Sequence, residues 1–77
     1  MVRIYSNQMD KVISFAREKN GDKVISIINF SNQPVTVTLK TQYDTGNYTE
    51  LFSGKKIELK GNDTFTFQPF EYEVLVK

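Results

Sequence analysis

The sequence has no histidine, no cysteine and no tryptophan, and its 77 residues include only two prolines. Without cysteine there is no disulfide to support a small core and no thiolate to act as nucleophile or metal ligand. With histidine missing as well, a metal site would rest on oxygen ligands alone, which suits calcium and not zinc. The lack of histidine also removes the commonest general base, and no lysine stands in a motif that marks a Ser–Lys dyad. Charge of one sign is lacking too: Lys plus Arg number 10 and Asp plus Glu 9, a formal net charge of +1. Such a balance gives no field to steer nucleic acid or an anionic membrane, and neither is expected as a partner. No apolar run approaches the roughly 18 residues of a membrane-spanning helix. The opening MVRIYSNQMDK has no apolar stretch and no small-residue cleavage site, so no signal peptide is expected there. Gly54-Lys55-Lys56 lacks the spaced glycine that opens a P-loop. No catalytic, cofactor-binding or metal-binding residue can be nominated from these motifs, and no cofactor is expected.

Against these absences stands a repeated alternation of β-branched and aromatic residues with polar ones. Lys11 to Lys19 reads as a strand with Ile13, Phe15 and Arg17 on one face and Val12, Ser14 and Ala16 on the other. Asn20-Gly21-Asp22 is a turn that accommodates positive φ, and Lys23 to Phe30 is the returning strand of a hairpin. Val24-Ile25-Ser26-Ile27-Ile28 places apolar residues on both faces, as in a central strand. Pro34 starts the next strand, in which Val35, Val37 and Leu39 face inward and Thr36 and Thr38 outward. Tyr48 to Phe52, then Ile57 with Leu59, then Phe65 with Phe67, and finally Tyr72 to Val76 continue the pattern, with turns at Ser53-Gly54, Gly61-Asn62-Asp63 and Pro69. A helix over Asp10 to Lys19 is disfavoured by Val12, Ile13 and Phe15. The expected fold is all-β: a small antiparallel two-sheet sandwich of about seven or eight strands, Greek-key-like, formed by residues 1–77 as one domain. A small orthogonal barrel is the alternative. A core of this size stabilises the fold by only about 3–5 kcal/mol.

The carboxylates are the first residues to weigh for chemistry, because paired acids hydrolyse glycosides. Glu71 and Glu73 alternate in phase near the last strand. A catalytic acid needs a pocket that raises its pKa, and a filled sandwich offers little room for one. Asn20-Gly21-Asp22 and Gly61-Asn62-Asp63 resemble calcium loops superficially but lack the spaced ligands and closing glutamate, so both read as turns. Asn29-Phe30-Ser31, Asn47-Tyr48-Thr49 and Asn62-Asp63-Thr64 fit the N-glycosylation triplet, which chance explains in a chain rich in these residues. Among the aromatics, Phe15, Phe30, Phe65 and Phe67 fit core positions. Tyr5, Tyr43, Tyr48, Phe70 and Tyr72 sit at strand ends or loops, where they could meet a neighbouring domain or a sugar. Tyr48 and Tyr72 have the alternative of a core ring with a wet hydroxyl.

Three segments carry a resemblance. Phe15-Ala16-Arg17, a polar turn and Lys23 to Ser31 resemble a hairpin whose second strand ends in Asn-Phe-Ser. Gly46 to Gly54 has an aromatic, an apolar pair and a closing Ser-Gly. Thr64 to Leu75 has two strands joined by a proline–aromatic corner. In this order and spacing they resemble the C-terminal β-sandwich of the α-amylase family of glycoside hydrolases, across about residues 12–77. The chain departs from the family at Phe70, where tryptophan or another corner residue is frequent, and at Glu71, where glycine is common. The resemblance implies a non-catalytic accessory domain, the C-terminal part of a larger enzyme, that packs on and stabilises a preceding (β/α)8 barrel acting on α-glucans such as starch. The family's catalytic acids belong to that barrel. A carbohydrate-binding module that holds starch or maltooligosaccharide through exposed aromatics is the alternative. An adhesin-like or receptor interaction domain is a third class, since sandwiches host many roles. A domain shaped to pack on a barrel should keep apolar surface when isolated and self-associate weakly, with Tyr5, Phe70 and Tyr72 as the expected contact.

Overall fold

The computed structural model describes residues 2–77. Eight strands form: β1 (Val2–Arg3), β2 (Val12–Lys19), β3 (Asp22–Asn29), β4 (Val35–Lys40), β5 (Gly46–Glu50), β6 (Lys56–Leu59), β7 (Asn62–Phe67) and β8 (Tyr72–Val76). A six-stranded sheet runs β1-β2-β3-β8-β5-β6, and β4 pairs with β7 in a second sheet. Every pairing is antiparallel. The arrangement is a sandwich and not a closed barrel.

The local chemistry explains the pairings. Asn20 and Gly21 both take positive φ, 54° and 86°, between the paired residues Lys19 and Asp22. That is the two-residue turn whose twist matches the flanking strands. The chain then changes sheet between β3 and β4, β4 and β5, β6 and β7, and β7 and β8. The N-terminal segment crosses as well. Val2 and Arg3 pair with β2, whereas the Ile4 carbonyl accepts the Ser14 hydroxyl at 2.9 Å and Ser6 bridges to Leu39 of β4.

The core lies between the sheets. Val12, Ala16, Ile25, Ile27, Tyr48, Leu59 and Leu75 of the larger sheet meet Val35, Val37, Leu39 and Phe67 of the smaller, with Ile4 closing one side. Phe65 packs against this cluster, and its ring stacks on Phe67 at 6.1 Å. Two expectations fail here. Phe15 is only half-buried, because Val12, Ser14 and Ala16 form the inner face of β2. Phe30 is exposed, because Asn29 takes the inward position before it. In both cases a smaller or polar neighbour holds the inner face, so the phase of the strand and not the size of the ring decides burial. The strand Tyr48–Phe52 also shifts: pairing runs from Gly46 to Glu50, and Leu51 to Ser53 turn.

Candidate functional site

The two outer faces of the sandwich differ. On the smaller sheet, Thr36 faces Thr66 and Thr38 faces Thr64, with hydroxyl oxygens 3.3 and 3.0 Å apart. This ladder is polar and suits water. The larger sheet presents the opposite chemistry. Its register lines up Ile13, Ile28 and Tyr72 in one row and Phe15, Ser26 and Val74 in the next. Phe52 extends the first row, its ring edge-on to Tyr72 at 5.6 Å and 90°. Ile13, Ile28, Phe52 and Tyr72 are all exposed. Arg3 and Arg17 flank this apolar centre, and Lys56, paired with Thr49, lies on the same face.

Phe70 sits at the end of this face. Pro69 and Phe70 occupy the two central positions of a tight turn closed by the Glu71 N–H donating to the Gln68 carbonyl at 3.0 Å. Phe70 takes φ +59°, a region that glycine or asparagine usually fills in such turns. An exposed phenylalanine there (64 % exposed) gains nothing from the core and carries backbone strain. The Glu71 carboxylate accepts the Gln68 N–H at 2.8 Å, so it braces the corner.

The five aromatics of the sequence reading separate into three places. Phe70 and Tyr72 lie together at the corner end of the larger sheet. Tyr48 is a core ring, 2 % exposed, with its hydroxyl donating to the Asp44 carbonyl at 2.9 Å, so it is withdrawn from any outer contact. Tyr5 and Tyr43 line a cleft at the other end, near the Asn20-Gly21 hairpin. Leu51 and Phe52, exposed beside Tyr72, were not singled out from the sequence. Reading them as strand residues hid the turn that presents them.

Two carboxylates behave in opposite ways. Glu50 is buried, and its oxygens accept the main-chain N–H groups of Val74 at 3.0 Å, Ser53 at 2.8 Å and Phe52 at 3.0 Å. The Val74 N–H, with those of Ser53 and Phe52, holds the Glu50 carboxyl below the usual carboxylate range despite desolvation. Glu73 pairs with Ile27 on the inner face, and its Oε2 is buried without a partner among the described residues. Desolvation, then the Glu50 charge, pushes its carboxyl above the usual range, against the pull of Lys55. Folded Glu73 therefore binds its proton more tightly than the unfolded chain does. Stability should rise as pH falls from neutral through the Glu73 pKa towards about 4.5, its unfolded value. The Glu50 contribution is present above that value and is lost as pH falls further. Chemical denaturation across pH should show a maximum in mild acid. Glu73→Gln should be more stable than the parent at pH 7 and should lose the rise between pH 7 and the maximum.

The turns that resemble calcium loops have structural duties. The Asp63 carboxylate accepts the Lys60 and Gly61 N–H groups and the Thr41 hydroxyl. Asn29, first of the sequon triplets, is fully buried. Among the described residues no group of three or more acidic side chains is placed to hold a metal.

Comparison with known proteins adds one finding. Residues 2–74 match the model of the family described as Maltogenic Amylase, C-terminal domain. No curated protein matches the chain.

Proposed function

The chain belongs to the family of maltogenic amylase C-terminal domains, and from that premise we propose that it packs on and stabilises a (β/α)8 catalytic barrel of an α-glucan-acting enzyme, ahead of it in the same polypeptide. The family is a non-catalytic module. The observation that carries the proposal is the contrast between the two outer faces: threonine ladder on one, apolar rows on the other. The row Ile13, Ile28 and Tyr72, with Phe52 beside it, is the docking face. Interdomain contacts commonly bury about 600–1,500 Å². The cations Arg3, Arg17 and Lys56 on this face favour a partner surface with carboxylates around an apolar centre.

The strain at Phe70 supports this reading. Backbone strain clusters at binding surfaces, and here it accompanies an exposed ring at the corner of the docking face. Phe70→Gly is expected to stabilise the isolated chain by about 1 kcal/mol, because glycine removes the left-handed penalty. The same substitution should weaken association with the barrel, and Tyr72→Ala should weaken it further, by about 2 kcal/mol. Calorimetric titration of the barrel with each variant checks both. Unchanged affinity in both variants would refute docking through this face.

A further inference from the structure

We infer that Glu50 is a positioning residue for the docking face: its carboxylate holds the Leu51–Ser53 turn against β8 and so fixes where Phe52 meets the partner. This role rests on the docking reading above. Glu50 lies at the end of β5, pairs with Leu75 of β8, and is buried with it. An apolar side chain at such a position would pack with no polar cost, whereas a buried carboxylate is tolerated only when its oxygens are hydrogen-bonded. Among the described residues Glu50 has no lysine or arginine within ion-pair distance. The partners of its side chain are main-chain N–H groups.

Those groups come from two segments. Oε1 accepts the N–H of Phe52 at 3.0 Å and of Ser53 at 2.8 Å, and Oε2 accepts that of Val74 at 3.0 Å. One carboxylate thus spans the turn and β8, which no apolar side chain can do. The main chain closes the same loop. The Glu50 N–H donates to the Lys55 carbonyl at 2.8 Å, and the Glu50 carbonyl accepts the Gly54 N–H at 2.9 Å. The Leu51 N–H donates to the Val74 carbonyl at 2.8 Å. Gly54 takes φ +74°, so the chain reverses there without a side-chain penalty.

The clamp serves an exposed surface. Leu51 and Phe52 stay open to solvent, so the turn draws little support from the core. What the clamp places is the Phe52 ring, edge-on to Tyr72, at the end of the row formed with Ile13 and Ile28. A ring fixed before binding loses little freedom when the partner arrives, which favours association.

The test is a double-mutant cycle read by titration of the barrel. Phe52→Ala should weaken association about tenfold. Glu50→Gln keeps the shape of the side chain but turns one acceptor oxygen into an N–H donor, so it cannot serve both segments. It should weaken association about fivefold in the parent chain. In the Phe52→Ala background it should cost nothing further, because the ring it positions is gone. Amide exchange in the isolated Glu50→Gln chain should quicken at Phe52 and Ser53 or at Val74. Should Glu50→Gln fail to fold, Glu50→Asp enters the same cycle with the same expected outcomes: one methylene shorter, it keeps the charge and loses the reach to both segments at once. Equal weakening by the Glu50 variant in both backgrounds would overturn the assignment. So would an unweakened Glu50 variant beside a weakened Phe52→Ala. Unchanged affinity in both Phe52→Ala and Tyr72→Ala would instead refute docking through this face, and the role of Glu50 with it.

Discussion

Replacing Asn29 by alanine is expected to cost about 2–4 kcal/mol of folding stability. Asn29 is fully buried and makes four side-chain hydrogen bonds. Its amide donates to the carbonyls of Gln33 at 3.0 Å and Gln68 at 2.9 Å. Its carbonyl accepts the Ser31 N–H at 3.0 Å and the Ser31 hydroxyl at 2.8 Å. One side chain thus ties the β3–β4 turn to the corner between β7 and β8. Removing it deletes four hydrogen bonds, each worth about 0.5–1.5 kcal/mol net. The Ser31 N–H is left without an acceptor, whereas the Gln33 carbonyl keeps the Ser31 hydroxyl and the Gln68 carbonyl keeps the Glu71 N–H. Gln33 and Gln68 are exposed residues, which keeps the total below the sum of the four. A core of this size supplies only about 3–5 kcal/mol in all. Asn29→Ala should therefore move the urea midpoint by a large fraction of its value. A change below about 1 kcal/mol would mean that the clamp is replaced by solvent.

The second large effect is expected at Phe67. This ring is buried on the inner face at the end of the smaller sheet, where Phe67 pairs with Val35, and it stacks on Phe65. Phe67→Ala removes it from a site flanked by both sheets, which costs about 3–5 kcal/mol. That approaches the whole stability of the fold. Phe15→Ala, by contrast, removes a half-buried ring from the outer face of the larger sheet and should cost about 1 kcal/mol or less in the isolated chain. Thermal unfolding of the two variants side by side tests the burial pattern directly. Equal losses would contradict it.

These two residues also mark what the sequence makes legible. Alternation gave a plan of seven or eight strands, the Asn20-Gly21 hairpin and the inward Val35, Val37 and Leu39, because a period of two is local. It placed Phe15 and Phe30 wrongly, because which of two faces is inner depends on the partner sheet. Ser14 and Asn29 lie inward on hydrogen bonds that span 10 and 39 residues, the latter to Gln68, and no local pattern reveals them. The resemblance rested partly on Asn29-Phe30-Ser31, and the structure gives its physical reason: Asn29 and Ser31 form the turn clamp. Of the aromatics weighed for contact, Phe70 and Tyr72 were legible as strand-end rings, but Tyr48 was indistinguishable from them. Its burial follows from β5 pairing with both β6 and β8, a tertiary fact. The division of Tyr5 and Tyr43 from Phe70 and Tyr72 also needed the fold, since the crossings between sheets decide which loops share an end.

The central claim is that the outer face of the larger sheet is covered by a catalytic barrel. Solvent footprinting of side chains tests it most directly, with this chain compared alone and within a polypeptide that carries the barrel ahead of it. The account predicts protection of Ile13, Ile28, Phe52 and Tyr72 in the longer polypeptide, with the threonine face of the smaller sheet unchanged. Equal labelling of Ile28, Phe52 and Tyr72 in both would contradict it.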